Sequence, residues 1–332
     1  MVSWSRLSLS SLLAPWTRPV RAPAPVRSRA GGPAELRLAA RGPRGYGPVA
    51  HPDSARENSS HTDPSREMSS SRRDVTPIPA AVPVPPAPAT ASRSASRAAA
   101  GLPVTLGGAP ARQSDQTTCG STVLVMLAAT GDRVLADWLE HGTLPPGLPP
   151  HQVPAEIPPT AAHAPAAPGP AGVTARLAAT QRHVKARTSA AALGPAPWPG
   201  ALGTPPWTAA REARFPGVRY RSVPLADTTA RGRALLTSVH GATLAGVPVP
   251  LYTGGDLGRG VTTAVPRHVV LAVPPPAAAA HRGHDDAGRP VLHLYDPAGG
   301  RVYPVLLEEL LDRAAPHPAL GGWSHVVWVV LP

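Results

Sequence analysis

The sequence predicts an α+β protein in which most helices precede an antiparallel sheet. Apolar residues recur at helical spacing in the middle of the chain, and short β-rich runs cluster in its last third. The helical runs are residues 118–129, 133–140, 173–193 and 229–245, and the β-rich runs are 267–273, 291–295, 301–304 and 325–331. Helices followed by consecutive strands, without regular alternation, are typical of the α+β class.

Residues 1–100 differ from the rest in composition. They are rich in Pro, Ser, Arg and Ala and show no sustained hydrophobic periodicity. Such a segment buries too little apolar surface to offset its chain entropy, so we expect disorder there. Met68 is an alternative start. The domain is therefore predicted to span residues 101–332, with a proline-rich surface insertion at about 142–172.

The positive charge does not indicate a nucleic-acid partner. The formal net charge is +12, but residues 1–100 hold fourteen arginines and six acidic residues, a net +8. No aromatic interleaving or binding motif accompanies these arginines, so a solvated basic tail explains them.

The sequence predicts neither a disulfide framework nor a cysteine-rich zinc site, because it holds one cysteine. We expect no metal or cofactor. No run of eighteen apolar residues and no convincing signal peptide is present, which favours a cytoplasmic protein without a membrane partner. The oligomeric state is left open.

Capping signals define the first two helices. Thr117 or Thr118 is the expected N-cap of helix 118–129, and Gly131 its stop. Asp132 is expected to cap helix 133–140. In the next helix, 173–193, the spacing places Leu177, Val184 and Leu193 on the buried side.

The second half is predicted to be mostly strands. Residues 209–214 suggest a helical turn, 218–223 a strand and 305–313 a short helix, while 254–260 and 274–290 are expected loops. Residues 247–252 look extended, but their prolines favour an edge strand or a strand start. The Asp296-Pro297 turn is expected to join strands 291–295 and 301–304 into a hairpin.

Cys119 is the leading candidate for chemistry. It lies where a polar loop becomes a helix, and a helix N-terminus stabilises a thiolate. Gln113 and Gln116 precede it by six and three residues, and either side chain is a candidate oxyanion-hole donor. The alternative is that Cys119 is a small buried hydrophobic residue.

His268 and Asp296 complete a candidate triad. His268 opens one predicted strand and Asp296 ends the next, so antiparallel pairing would place both at one end of the sheet. There the imidazole would take the thiol proton and the carboxylate would orient the imidazole. The remaining histidines lack zinc-ligand spacing and are interpreted mostly as loop or surface residues: His240, His281, His284, His293 and His325.

These residues resemble the papain-like cysteine peptidases. Gln113, five intervening residues, Cys119-Gly120 at a helix start, His268 before a buried strand and the Asp296-Pro297 turn are most similar to the branch of bacteriocin-processing, double-glycine-leader peptidases. The resemblance covers roughly residues 110–130 and 265–300. It implies a papain-like fold with the nucleophile's helix packed on an antiparallel sheet.

The resemblance also implies roles for the four residues. Cys119 would be the nucleophile, His268 the base, Asp296 its orienting group and Gln113 the oxyanion-hole donor. The expected activity is cleavage of a peptide or amide bond in a peptide or protein substrate through a thioester. Two alternatives stand beside it: a catalytically inactive binding module on the same fold, and acyl transfer to an amine.

Overall fold

The computed structural model describes most of the chain from residue 101 onward. The described residues are 101–161, 167–190, 192–255, 266–276, 283–311, 313 and 315–332. The predictions for residues 1–100, including disorder and the Met68 start, lie outside this part. So do residues 256–260 of the loop predicted at 254–260, residues 261–265, and residues 277–282 of the loop predicted at 274–290.

A seven-stranded antiparallel sheet forms the centre of the described region. In chain order its strands are β1 (Leu102–Pro103), β4 (Arg221–Pro224), β5 (Val249–Gly254), β6 (His268–Val273), β7 (Val291–Asp296), β8 (Arg301–Leu306) and β9 (His325–Leu331). Their spatial order is β1-β8-β7-β6-β5-β9-β4. A separate two-stranded ribbon pairs β2 (Thr105–Leu106) with β3 (Ala109–Pro110).

Five α-helices lie in the described region and cover both faces of the sheet. They are α1 (Cys119–Gly131), α2 (Arg133–His141), α3 (Gly169–Ser189), α4 (Pro206–Glu212) and α5 (Ala230–Leu244). One face packs against α1 and α4, and α5 packs on the other face. The α+β prediction with an antiparallel sheet is therefore confirmed.

Helix α1 is the central helix of the first layer. Every residue from Cys119 to Thr130 is buried, because the helix is enclosed by β6, α2 and α3. A helix that is apolar on all sides is stable only in such an environment. Asp132 begins α2 as predicted, since its carboxylate accepts a hydrogen bond from the Leu135 amide at 3.1 Å.

Several boundary predictions were wrong. Helix α3 begins at Gly169, within the predicted insertion, and ends at Ser189, which leaves Leu193 half exposed instead of buried. The predicted turn at 209–214 is helix α4, and the strand predicted at 218–223 starts only at Arg221. The short strands β1 to β3 were not predicted, because two-residue strands carry no periodic signal.

The proline-containing strand β5 lies inside the sheet, between β6 and β9, and not at an edge. Pro250 is tolerated because residue pairing with β9 begins only at Leu251, so its missing N–H falls at the end of that ladder. The short helix predicted at 305–313 is shorter in the structure and is not an α-helix. Residues 305 and 306 continue β8, and only a 3₁₀ turn, Leu307–Leu310, follows.

The proline-rich insertion is attached by one arginine. Arg214 donates two hydrogen bonds to the buried Glu156 carboxylate, at 2.9 and 2.7 Å, and a third to Asp132 at 2.7 Å. Glu156 lies in the insertion and Asp132 caps α2, so this ion network fixes the insertion to the helical layer.

Across the described residues, no single helix has the length and apolar character needed to cross a membrane. The consecutive helices α1 and α2 reach that length and composition only as a pair bent by 115°.

Candidate active site

Cys119 is the first residue of α1 and is 3% exposed. Thr118, the N-cap, does not cap the helix with its side chain; its hydroxyl accepts the Asp115 amide at 3.1 Å and donates to the Asp115 carbonyl at 2.9 Å. The first turn holds no acidic side chain. The positive end of the α1 dipole therefore meets the thiol without a neutralising carboxylate of its own turn.

His268 and Asp296 meet at the end of the sheet that the sequence indicated. The register pairs Leu271 with Tyr295, so by extension Asp296 faces Val270, on the same side of the sheet as His268. The imidazole Nε2 donates to the Asp296 Oδ1 at 2.6 Å. The two side chains are 7% and 5% exposed, so solvent screens this contact little.

The environment of His268 favours the imidazolium. Burial by itself lowers the pKa of His268, but the hydrogen bond to Asp296 and the interaction with the Cys119 side chain raise it to about 9. Because the Cys119 side chain acts on the pKa of His268, thiol and imidazole lie near each other. Since Nε2 faces Asp296, Nδ1 is the nitrogen left to exchange a proton with sulfur.

Asp296 is fixed by the turn that it begins. Its Oδ1 accepts the Ala298 amide at 3.1 Å and its Oδ2 accepts the Gly299 amide at 3.0 Å. The carboxylate is thus a turn-forming group and an imidazole partner at once. Asp296 can hold the turn and orient the imidazole together, because separate N–H groups donate to its carboxylate for each purpose.

Gln113 is placed beside the same turn, whereas Gln116 is exposed. The Gln113 amide N–H donates to the Pro297 carbonyl at 2.9 Å, and its side-chain Nε2 donates to the Asp115 carbonyl at 3.0 Å. Its buried Oε1 has no hydrogen-bond partner among the described residues. The loop that leads to Cys119 therefore carries an ordered amide whose hydrogen-bonding capacity is only partly used.

Two side chains of α3 hold this loop, and the sequence did not indicate them. Gln181, fully buried, accepts the Ser114 amide at 2.8 Å and donates to the Arg112 carbonyl at 2.8 Å. Lys185, one turn later, donates to the Thr117 hydroxyl. The available signal was their i,i+4 spacing and the fact that Lys185 is the only lysine in the chain.

Gly321 packs directly on the imidazole. A Cβ at this position would lie 2.2 Å from Cδ2 and 2.6 Å from Nε2 of His268, and its φ of +65° favours glycine. The loop around residues 317–322 thus closes over the face of the ring. A single glycine in a turn carries too little sequence signal to predict this role.

A second buried histidine–aspartate pair lies nearby, contrary to the interpretation of His325 as a loop or surface residue. His325, at the start of β9, places Nδ1 3.1 Å from Asp227, whose other oxygen accepts the Val326 amide at 2.9 Å. His240 is buried too, and its Nε2 contacts the Gly283 carbonyl at 2.8 Å. The pair joins the segment before α5 to the sheet.

A cleft of about 570 Å³ opens in the insertion, away from these residues. Prolines and aliphatic side chains line it together with His183, and none of the four candidate residues contributes. Over the described part of the chain, no group of three or more His, Cys, Asp and Glu side chains is arranged to hold a metal ion.

Comparisons with protein-family models, with curated proteins and with solved structures find no match for this chain.

Proposed function

We propose that the protein is a thiol hydrolase of the papain-like type that cleaves a peptide or amide bond. The observation that carries the proposal is the 2.6 Å bond between His268 and Asp296 beside the Cys119 thiol at a helix start. The helix with the cysteine packs on an antiparallel sheet, and neighbouring strands of that sheet carry the histidine and the aspartate. The order of the four residues along the chain supports the same assignment.

The side chains present are sufficient for the reaction. His268 Nδ1 takes the thiol proton, and the Cys119 sulfur attacks the substrate carbonyl carbon. The backbone N–H of Cys119 and the side-chain amide of Gln113 hold the oxyanion. As the tetrahedral adduct collapses, the carbon–nitrogen bond breaks and the leaving amine takes the proton from His268.

Water then completes the cycle. His268 removes a proton from the water that attacks the thioester, the carbon–sulfur bond breaks, and a carboxylic acid leaves while the thiol is restored. Asp296 keeps Nε2 protonated throughout and stabilises the imidazolium. An amine in place of water would give acyl transfer, and product analysis with added amine separates the two reactions.

The inactive binding module is the competing proposal, and the 3% exposure of Cys119 is the observation in its favour. A binding module does not need an activated thiol. The two proposals therefore differ in the chemical behaviour of one atom, the Cys119 sulfur.

The deciding experiment is the pH dependence of Cys119 alkylation by iodoacetamide in the wild type and in His268→Ala. The chain has one cysteine, so the modified mass reports a single site. A free thiol titrates near pH 8.5. We expect rapid alkylation to persist below pH 7 in the wild type and to disappear in the variant. Slow alkylation at every pH until unfolding would overturn the hydrolase proposal.

A further inference from the structure

Tyr252 lies on β5 beneath the start of α1. It is paired with Val269, the residue after His268, and paired residues share one face of a sheet. On that face a Val269 methyl group would lie 3.4 Å from a Cβ added to Gly120, the residue after Cys119. Tyr252 is 2% exposed, so its ring is enclosed between the sheet and the helix that carries the thiol.

The hydroxyl group of Tyr252 has no hydrogen-bond partner among the described residues. Burying such a group unpaired is unfavourable, and native proteins rarely retain one without a reason. Burial, together with the charge of the neighbouring Cys119, holds the pKa of Tyr252 well above its usual range. The phenol therefore keeps its proton and remains a hydrogen-bond donor.

Tyr295 provides an internal comparison on the same sheet face. It pairs with Leu271, two residues after Val269, and is 1% exposed. Its hydroxyl donates to the Ala111 carbonyl at 2.7 Å. The Tyr295 hydroxyl thus has a hydrogen-bond acceptor, whereas the Tyr252 hydroxyl, nearer to the thiol, has none among the described residues.

We infer that Tyr252 is a positioning residue whose hydroxyl donates a hydrogen bond to the Cys119 sulfur when that sulfur carries negative charge. The inference rests on the proposed function, because it assumes that Cys119 forms a thiolate. A buried hydroxyl that has no other partner is available to stabilise that charge, as donors do in oxyanion-hole sites.

The other charged groups around this thiol are the same residues in the wild type and in the variants. His268 and Asp296 lie at the end of the sheet, and Asp115 and Lys185 flank the preceding loop. Removing one neutral hydroxyl changes none of these charges. A changed titration of Cys119 can therefore be assigned to the lost donor.

The experiment compares Tyr252→Phe with Tyr295→Phe in the full-length chain. Iodoacetamide alkylation rates are measured from pH 4 to pH 10 by intact mass, alongside urea unfolding. Because hydrogen bonds to charged groups are the stronger ones, we expect the alkylation midpoint of Tyr252→Phe to rise by on the order of one pH unit. Its unfolding midpoint stays the same or increases. In Tyr295→Phe the alkylation midpoint stays and the unfolding midpoint falls.

The outcomes separate this inference from the proposed function. Low-pH reactivity in the wild type with an unchanged midpoint in Tyr252→Phe overturns the role of Tyr252 and leaves the hydrolase intact. A wild type that alkylates like a free thiol overturns both. An equal shift in Tyr295→Phe also refutes the inference, because the effect would then come from general loosening of the sheet.

Discussion

The raised pKa of His268 has a measurable consequence for stability. A histidine whose pKa is higher in the folded than in the unfolded state stabilises the fold fully below its unfolded pKa. That contribution disappears as the pH rises through the folded value. For His268 the window runs from 6.5 to about 9. At 1.36 kcal/mol per pH unit, this window corresponds to about 3 kcal/mol of unfolding free energy.

The matched variant is His268→Gln. Glutamine keeps an N–H donor for Asp296, but it does not titrate. The assay is urea unfolding followed by fluorescence, which the chain supports with seven tryptophans. Between pH 6 and pH 10 the wild type should lose about 3 kcal/mol more unfolding free energy than the variant. If the unfolding free energies of the two proteins changed in parallel with pH, the conclusion that His268 is charged in the folded state would be refuted.

Two further predictions concern the surroundings of the site. Gly321→Ala should displace the His268 ring and return Cys119 alkylation to free-thiol behaviour. Gly322→Ala should not, because Gly322 also has a positive φ but a Cβ added to it would meet no atom within 4 Å. Gln181→Leu leaves two loop backbone groups unpaired and should destabilise the protein by about 2–4 kcal/mol while slowing alkylation at low pH. Thr180→Val removes only a hydrogen bond within α3 and should leave the alkylation rate unchanged. An equal effect of Gln181→Leu and Thr180→Val on alkylation would contradict the role of Gln181 in holding the loop.

The sequence predicted which candidate residues meet better than it predicted the layers around them. Cys119, His268 and Asp296 stand at the ends of strongly patterned elements, where a helix start, a strand start and an Asp-Pro turn are each visible locally. Antiparallel pairing of adjacent strands then places two of them together. Local sequence pattern and the pairing of adjacent strands were therefore sufficient to predict that His268 and Asp296 lie together.

The supporting residues depend on contacts that no local pattern encodes. Gln181 is 67 residues from Ser114, which it binds. Gly321 contacts His268 from a turn that shows only a common glycine signal. Of the two alternatives for the prolines of residues 247–252, the strand start is correct, since Pro250 is the second residue of β5, and the edge strand is wrong for a related reason. A proline signal in the sequence does not show which strands will pair on either side of it. Here the pairing of β5 with β9 begins only after Pro250, so the proline does not exclude β5 from the interior of the sheet.

Three of the buried polar side-chain atoms without a partner in the described part of the chain lie around the start of α1. Gln113 Oε1, the Tyr252 hydroxyl and the Thr204 hydroxyl are all buried without a partner among the described residues. Gln113 precedes Cys119 on its loop, Tyr252 lies beneath the helix, and Thr204 is 2.9 Å from the position of a Cβ on Gly120. A cysteine retained only for packing would gain nothing from three unpaired groups around it, because each lowers stability. A substrate amide bound at the thiol would offer both donors and acceptors, so we propose that it pairs with Gln113 Oε1 and the Thr204 hydroxyl, while the Tyr252 hydroxyl serves the sulfur.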